Sequence, residues 1–133
     1  MFFEENMKSI FICIFLLMFT TASFAFFNTE LISGNPQIIP VPNTVTMVDI
    51  GAKKCIPCKM MAPILEELAI EYEGRAAIAF IDVWQNPDEA QKFGIRTIPT
   101  QMFYDKDGNE VLRHEGFYGK AEIENVLKDL GVQ

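Results

Sequence analysis

Cys55 and Cys58 stand three positions apart in the stretch Lys53-Lys54-Cys55-Ile56-Pro57-Cys58-Lys59, a spacing suited to thiol chemistry. A strand-like run ends just before the pair and a helix-like run starts with it, which puts the first sulfur at a helix N-terminus and the second a turn inside. Free N–H groups and the positive end of the macrodipole favour an anion there, and the thiolate is the nucleophile. Cys55 is therefore the expected attacker. The helix end is worth only about 0.3–1 kcal/mol, less than the roughly 1.4 kcal/mol of one pKa unit. Direct N–H···S bonds and Lys53, Lys54 and Lys59 have to add the rest, and exposed lysines add little. The expectation is a moderately acidified thiol.

Three other readings compete. A structural zinc site wants four Cys or His ligands, whereas only these two cysteines lie close together and the single His114 is far along the chain. A purely structural disulfide closing so small a loop is worth only about 2 kcal/mol, against roughly 3–5 for long loops. A pair of inert buried cysteines is the third. Spacing and context put the redox dithiol ahead of all of them.

The elements that must position the pair follow from the apolar pattern. Val45 to Ala52 is apolar and β-branched with one acid, Asp49, which fits a strand buried on both faces. From Ile56 to Glu73 the residues Met60, Met61, Ile64, Leu65, Leu68, Ala69 and Tyr72 recur at helical spacing, and Gly74 follows as a cap residue would. Both methionines are expected in the core. Pro57 falls in the first turn, where its missing N–H costs nothing, while Pro63 is interior and should kink the helix. Ala76 to Val83 is a second apolar strand. Pro87 to Phe93 is a short helix with Asn86 as its cap, closed by Gly94. Gln101 to Tyr104 and Glu110 to Glu115 flank the turn signal Asp105-Lys106-Asp107-Gly108-Asn109 and read as an antiparallel hairpin. Lys120 to Leu130 is an amphipathic helix with Ile123, Val126, Leu127 and Leu130 on one face. The order β-α-β-α-β-β-α is that of an α/β sandwich.

Length and charge bound the rest. The 133 residues, half of them apolar, make one domain with a real core. A formal charge of −7 argues against nucleic acid as a partner, because phosphate binding needs clustered Lys and Arg. Residues 1–25 read as an export signal outside the fold. Lys8 precedes the apolar run Ile10 to Phe19, and Ser23 and Ala25 fit a cleavage site. The rival is an uncleaved anchor, since Ile10 to Phe27 carries no charge and sits at the lower length limit for a span. Either way Lys8 would leave the domain outside the cytoplasm, and Cys13 is an apolar residue of that segment. Residues 26–44 read as an irregular lead-in in which Ile38 and Ile39 form a short edge strand. Residues 45–133 are the domain.

Over about residues 45 to 131 the chain resembles the thioredoxin family. The resemblance rests on Val48-Asp49 ahead of Cys55, on Cys55-Ile56-Pro57-Cys58-Lys59, on Pro63 in the helix, on Gln85-Asn86-Pro87, on Gly94-Ile95-Arg96-Thr97-Ile98-Pro99-Thr100 and on Gly116. It implies a thioredoxin-like fold, a central mixed β-sheet flanked by helices, and a thiol-disulfide oxidoreductase that needs no cofactor or metal beyond its own Cys55–Cys58 disulfide. Cys55 would attack a substrate disulfide and Cys58 would resolve the mixed disulfide. Asp49 would be the buried acid near Cys58 that takes up a proton, against the plainer reading of a carboxylate bonded to backbone. Pro99 would be a cis proline facing the cysteines, with Ile56, Pro57, Thr97 and Ile98 completing the substrate surface.

The departures from the family pattern matter too. Lys54 stands where the family usually has Trp, and Gly51 replaces an aromatic three positions earlier, so the rim should be more polar and cationic. Phe80 stands where a lysine often accompanies the buried acid; without that cation Asp49 should ionise less readily. Trp84 is expected to pack beside the site and His114 to lie on a strand surface. The function expected is reduction of disulfides in exported, cysteine-containing proteins by a periplasmic or otherwise extracytoplasmic monomer, fed with electrons by a membrane thiol-electron transporter. A disulfide-forming oxidase or isomerase, and a non-catalytic peptide-binding module of the same fold, are the alternatives.

Overall fold

The computed structural model describes residues 32–33 and 38–133. The export-signal segment 1–25 and Cys13 lie outside the described residues. Five strands, β1 (Ile32–Ser33), β2 (Thr46–Gly51), β3 (Ala77–Asp82), β4 (Thr100–Tyr104) and β5 (Glu110–Glu115), form one mixed sheet in the order β1-β3-β2-β4-β5. β1 and β2 run parallel to β3, and β4 runs antiparallel to both β2 and β5. Three helices accompany them: α1 (Ile56–Glu71), α2 (Pro87–Lys92) and α3 (Lys120–Asp129). The edge strand expected at Ile38–Ile39 is instead β1, and Ile38 is exposed. An edge is chosen by what the neighbouring strand leaves unpaired, and the local sequence does not record that.

β2 and β4 are buried at every residue, as befits central strands covered on both sides. Side chains alternate between the two faces. Met47 and Phe103 join Met61, Leu65, Leu68, Ile123 and Leu127 beneath α1 and α3. Val48, Ile50, Met102 and Tyr104 join Ile81, Val83 and Phe93 on the other side. Each fully buried side chain of this size contributes roughly 1.5–3 kcal/mol, so α1 is anchored chiefly by its Met61, Leu65 and Leu68 stripe. Met60, one position away, faces solvent instead, 56% exposed. α1 passes through Pro63 as a single helix.

The hairpin turn is held by Asp105, whose Oδ1 accepts the N–H groups of Asp107 and Asn109, both at 2.9 Å. Gly108 takes φ +86°, a conformation that side chains with a Cβ avoid. Strand register brings one end of the sheet together. Gly51 at the end of β2 lies opposite Asp82 at the end of β3, and Ile50 lies opposite Thr100 at the start of β4. The loops Ala52–Cys55, Val83–Asn86 and Thr97–Pro99 therefore all lie at the same end of the sheet.

Candidate active site

Cys55 is the N-cap residue of α1, with φ −77° and ψ 130°, and Pro57 lies in the first turn. The Cys58 N–H points to Cys55 Sγ at 3.4 Å, the type of N–H···S contact that favours a thiolate over a thiol. The two cysteines are joined as a disulfide with their Cα atoms 5.2 Å apart. Cys55 is part-exposed while Cys58 is only 3% exposed. A reagent arriving from solvent therefore meets Cys55 first. Lys53, Lys54 and Lys59 surround the pair, all exposed, and none of the three makes an ion pair among the described residues.

Strand β2 comes close beneath the pair. A Cβ on Gly51 would lie 3.2 Å from Cys58 Sγ and 3.3 Å from Phe80 Cε2, so glycine here lets Cys58 and the Phe80 ring approach the strand. Cys58 and Phe80 also line a crevice of about 280 Å³ with Lys53, Lys59, Leu65 and Glu66. Asp49, two residues before Gly51 and on the same face of β2, is fully buried, and it lies opposite Phe80 on β3 and Gln101 on β4. Gln101 Nε2 donates to Asp49 Oδ1 at 2.7 Å. Burial pushes the Asp49 pKa up to about 6 and the Gln101 hydrogen bond opposes part of that rise. The acid is accordingly bonded to a side chain and not to the backbone.

The Ile98–Pro99 peptide is cis. Pro99 is buried, Ile98 is half-buried and Thr97 is exposed. Thr100 Oγ1 donates to Thr97 O at 2.8 Å, and Gly116 N donates to Pro99 O at 2.8 Å. Those two bonds fix the loop while, among the described residues, nothing hydrogen-bonds to the Ile98 main chain. Ile56 is 76% exposed, so an apolar surface adjoins the cysteines.

Two residues of the site escape sequence reasoning. Gln101 is one; its signal is a polar residue beside the apolar run Met102-Phe103-Tyr104, in register with the acid. Asp82 is the other. Its Oδ2 accepts the Lys53 N–H at 3.0 Å, and its Oδ1 accepts those of Trp84 at 2.9 Å and Gln85 at 3.2 Å. It thereby ties the loop that carries Cys55 to the end of β3. Replacing it, Asp82→Ala, leaves three N–H groups to find water and is expected to cost about 2 kcal/mol of stability, read as a lower urea midpoint of the oxidised protein. An unchanged midpoint would show that the loop is held by other means. Trp84 itself is 60% exposed and does not pack into the core. Asn86 sits at the N-cap of α2 but spends its side chain on the Asp82 carbonyl, 3.1 Å away, and caps nothing. His114, on β5, stacks on Tyr118 with ring centroids 4.0 Å apart. Among the described residues no group of three or more His, Cys, Asp or Glu is placed to hold a metal ion.

Comparison with known proteins agrees with this geometry. The family model described as thioredoxin matches residues 29–129. Thioredoxin of Staphylococcus aureus is 46% identical over 87 residues, covering 65% of this chain and 83% of the relative. Among solved structures, chloroplastic thioredoxin z superposes with a TM-score of 0.69 at 30% identity, covering 78% of this chain and 96% of that one. Malassezia sympodialis thioredoxin, at 22% identity and a TM-score of 0.64, shares the fold.

Proposed function

Because the chain belongs to the thioredoxin family, whose members exchange thiols and disulfides through a redox-active disulfide with no external cofactor, we propose that it acts outside the cytoplasm as a reductase of disulfides in exported proteins. The observation that carries this reading is the unequal exposure of the pair. In the reduced protein the part-exposed Cys55 thiolate attacks one sulfur of a client disulfide. A Cys55–client bond forms and the other client sulfur leaves as a thiolate. Buried Cys58 then gives its proton to Asp49 and attacks Cys55 Sγ. The Cys55–client bond breaks, the electron pair goes to the client sulfur, and the Cys55–Cys58 disulfide remains. Two electrons have passed from the protein dithiol to the client.

The client strand is read by the open main chain of Ile98 beside Pro99 and by the exposed Ile56, Pro57 and Thr97, in the manner of an added β-strand. Reduction outside the cytoplasm needs a supply of electrons, since no cytosolic thiol pool reaches that compartment. A membrane thiol-electron transporter is the proposed donor. Support for export comes from the Lys8, Ile10 to Phe19, Ser23 and Ala25 pattern.

The test is made in the native host, by fractionating cells after acid quenching and labelling free thiols with a maleimide that retards the protein on a gel. The expected result is an envelope protein whose Cys55–Cys58 pair is mostly reduced at steady state. A mostly disulfide-bonded pair in the envelope would reverse the direction and make it a donor of disulfides; a cytoplasmic protein would remove the proposed clients.

A further inference from the structure

The neighbours of Asp49 leave one of its oxygens without a partner. From β3 the carboxyl faces Phe80 and from β4 it faces Gln101, while two residues along the same face of β2 Cys58 Sγ from α1 lies 3.2 Å from where a Cβ on Gly51 would stand. The charged side chains Lys53, Lys59 and Glu66 line the crevice that Cys58 and Phe80 share, which Asp49 does not line. His114 lies opposite Gln101 in the β4–β5 register, but its ring stacks on Tyr118 and its Nε2 meets Phe117 O at 3.2 Å. Among the described residues, Gln101, fully buried, is thus the one polar side chain bonded to Asp49, through Nε2 to Oδ1 at 2.7 Å. Among the described residues neither Asp49 Oδ2 nor Gln101 Oε1, both buried, has a hydrogen-bond partner. Buried orphans of this kind are rare and costly. An acceptor left open on the strand face that Cys58 packs against is a place for that thiol's proton to go.

We infer that Gln101 is a positioning residue for the resolving step: by occupying Asp49 Oδ1 it fixes the carboxyl in one orientation and leaves Oδ2 as the oxygen that receives the Cys58 proton. This rests on the part given to Asp49 in the proposed mechanism. The proton moves from Cys58 Sγ to Asp49 Oδ2, the Cys58 thiolate forms the bond to Cys55 Sγ, and the client leaves as a thiolate, so no other reagent is consumed. Gln101 itself changes neither charge nor bonding to hydrogen. Its amide N–H stabilises the ionised acid in a place where Phe80 supplies no cation. The polar partner of the buried acid arrives from β4 and not from β3.

The experiment follows reduction of a disulfide-bonded peptide by the reduced protein between pH 5 and 9, with Trp84, the single tryptophan, as the fluorescent reporter. Gln101→Leu and Gln101→Met are compared with Asp49→Asn. Removing the donor should move the midpoint of the acid limb upward by about one pH unit, a roughly tenfold slower reaction below the midpoint, and the freed carboxyl should also lower the rate at pH 9. Adding Phe80→Lys to Gln101→Leu should bring the midpoint back down, because the ammonium takes over from the lost N–H in stabilising the ionised acid. If Asp49→Asn abolishes the limb while both Gln101 variants leave its midpoint in place, the inference is wrong and the role of Asp49 stands. If Asp49→Asn leaves the limb intact, the acid is not the proton acceptor and both fall. A Gln101 variant slowed equally at every pH would also overturn the inference.

Discussion

With serine in place of Cys58, the reduced protein mixed with a disulfide-bonded client should accumulate a covalent complex through Cys55, stable on a non-reducing gel and released by dithiothreitol. With serine in place of Cys55, turnover should fall to background and no complex should form. The asymmetry follows from position. Cys55 sits at the helix N-cap and is reached from solvent, while Cys58 is 3% exposed and meets only what Cys55 has already captured. A serine hydroxyl at 58 is too weakly acidic to attack the mixed disulfide, so the intermediate cannot be resolved from within the protein. A dithiothreitol-releasable complex captured equally well by Cys55→Ser would mean that Cys58 attacks the client directly and would contradict the assigned order of attack.

Asp49→Asn should make the protein more stable and less active. Burial raises the Asp49 pKa from 3.8 to about 6. The folded state therefore holds its proton more tightly than the unfolded chain does. Stability is fullest below pH 4, where both states are protonated, and declines as the pH rises toward and through 6, because the unfolded chain releases the proton first. The difference between 3.8 and about 6 corresponds to about 3 kcal/mol lost by neutral pH. The amide of the variant has nothing to ionise and can donate to the unpartnered Gln101 Oε1. Urea unfolding of the oxidised protein at pH 4 and pH 8 should show the variant gaining up to about 3 kcal/mol on the wild type between the two, while its resolving step slows. Equal pH dependence in the two proteins would mean that Asp49 is hydrated and not tuned by burial.

The helices and central strands are legible because their apolar periods are strong: Met61, Leu65 and Leu68 mark α1, and the β-branched run before Cys55 marks β2. The cysteine pair is legible because spacing along a helix start dictates which sulfur is exposed. What escapes depends on neighbours far along the chain. Gln101 reads as a stray polar residue until register puts it opposite Asp49, fifty-two positions away. Asp82 reads as the last residue of a strand until its carboxylate is seen gathering three N–H groups from two loops. Large aromatics usually pack, yet Trp84 sits in a loop at the open end of the sheet, where no layer covers it. Met60 and Met61 look alike in sequence, and only the rotation of α1 against the sheet separates the buried one from the exposed one. The edge strand lies elsewhere than Ile38–Ile39 because edges answer to tertiary pairing more than to local propensity.

The most direct measurement of what this site does is the equilibrium reduction potential of the Cys55–Cys58 pair, read against a dithiothreitol series with the maleimide shift as the signal. A disulfide reductase in this setting requires a value near or below about −270 mV, the thioredoxin end of the scale. A value near about −120 mV, at the strongly oxidising end, would contradict reduction as its task and assign the same residues to making disulfides.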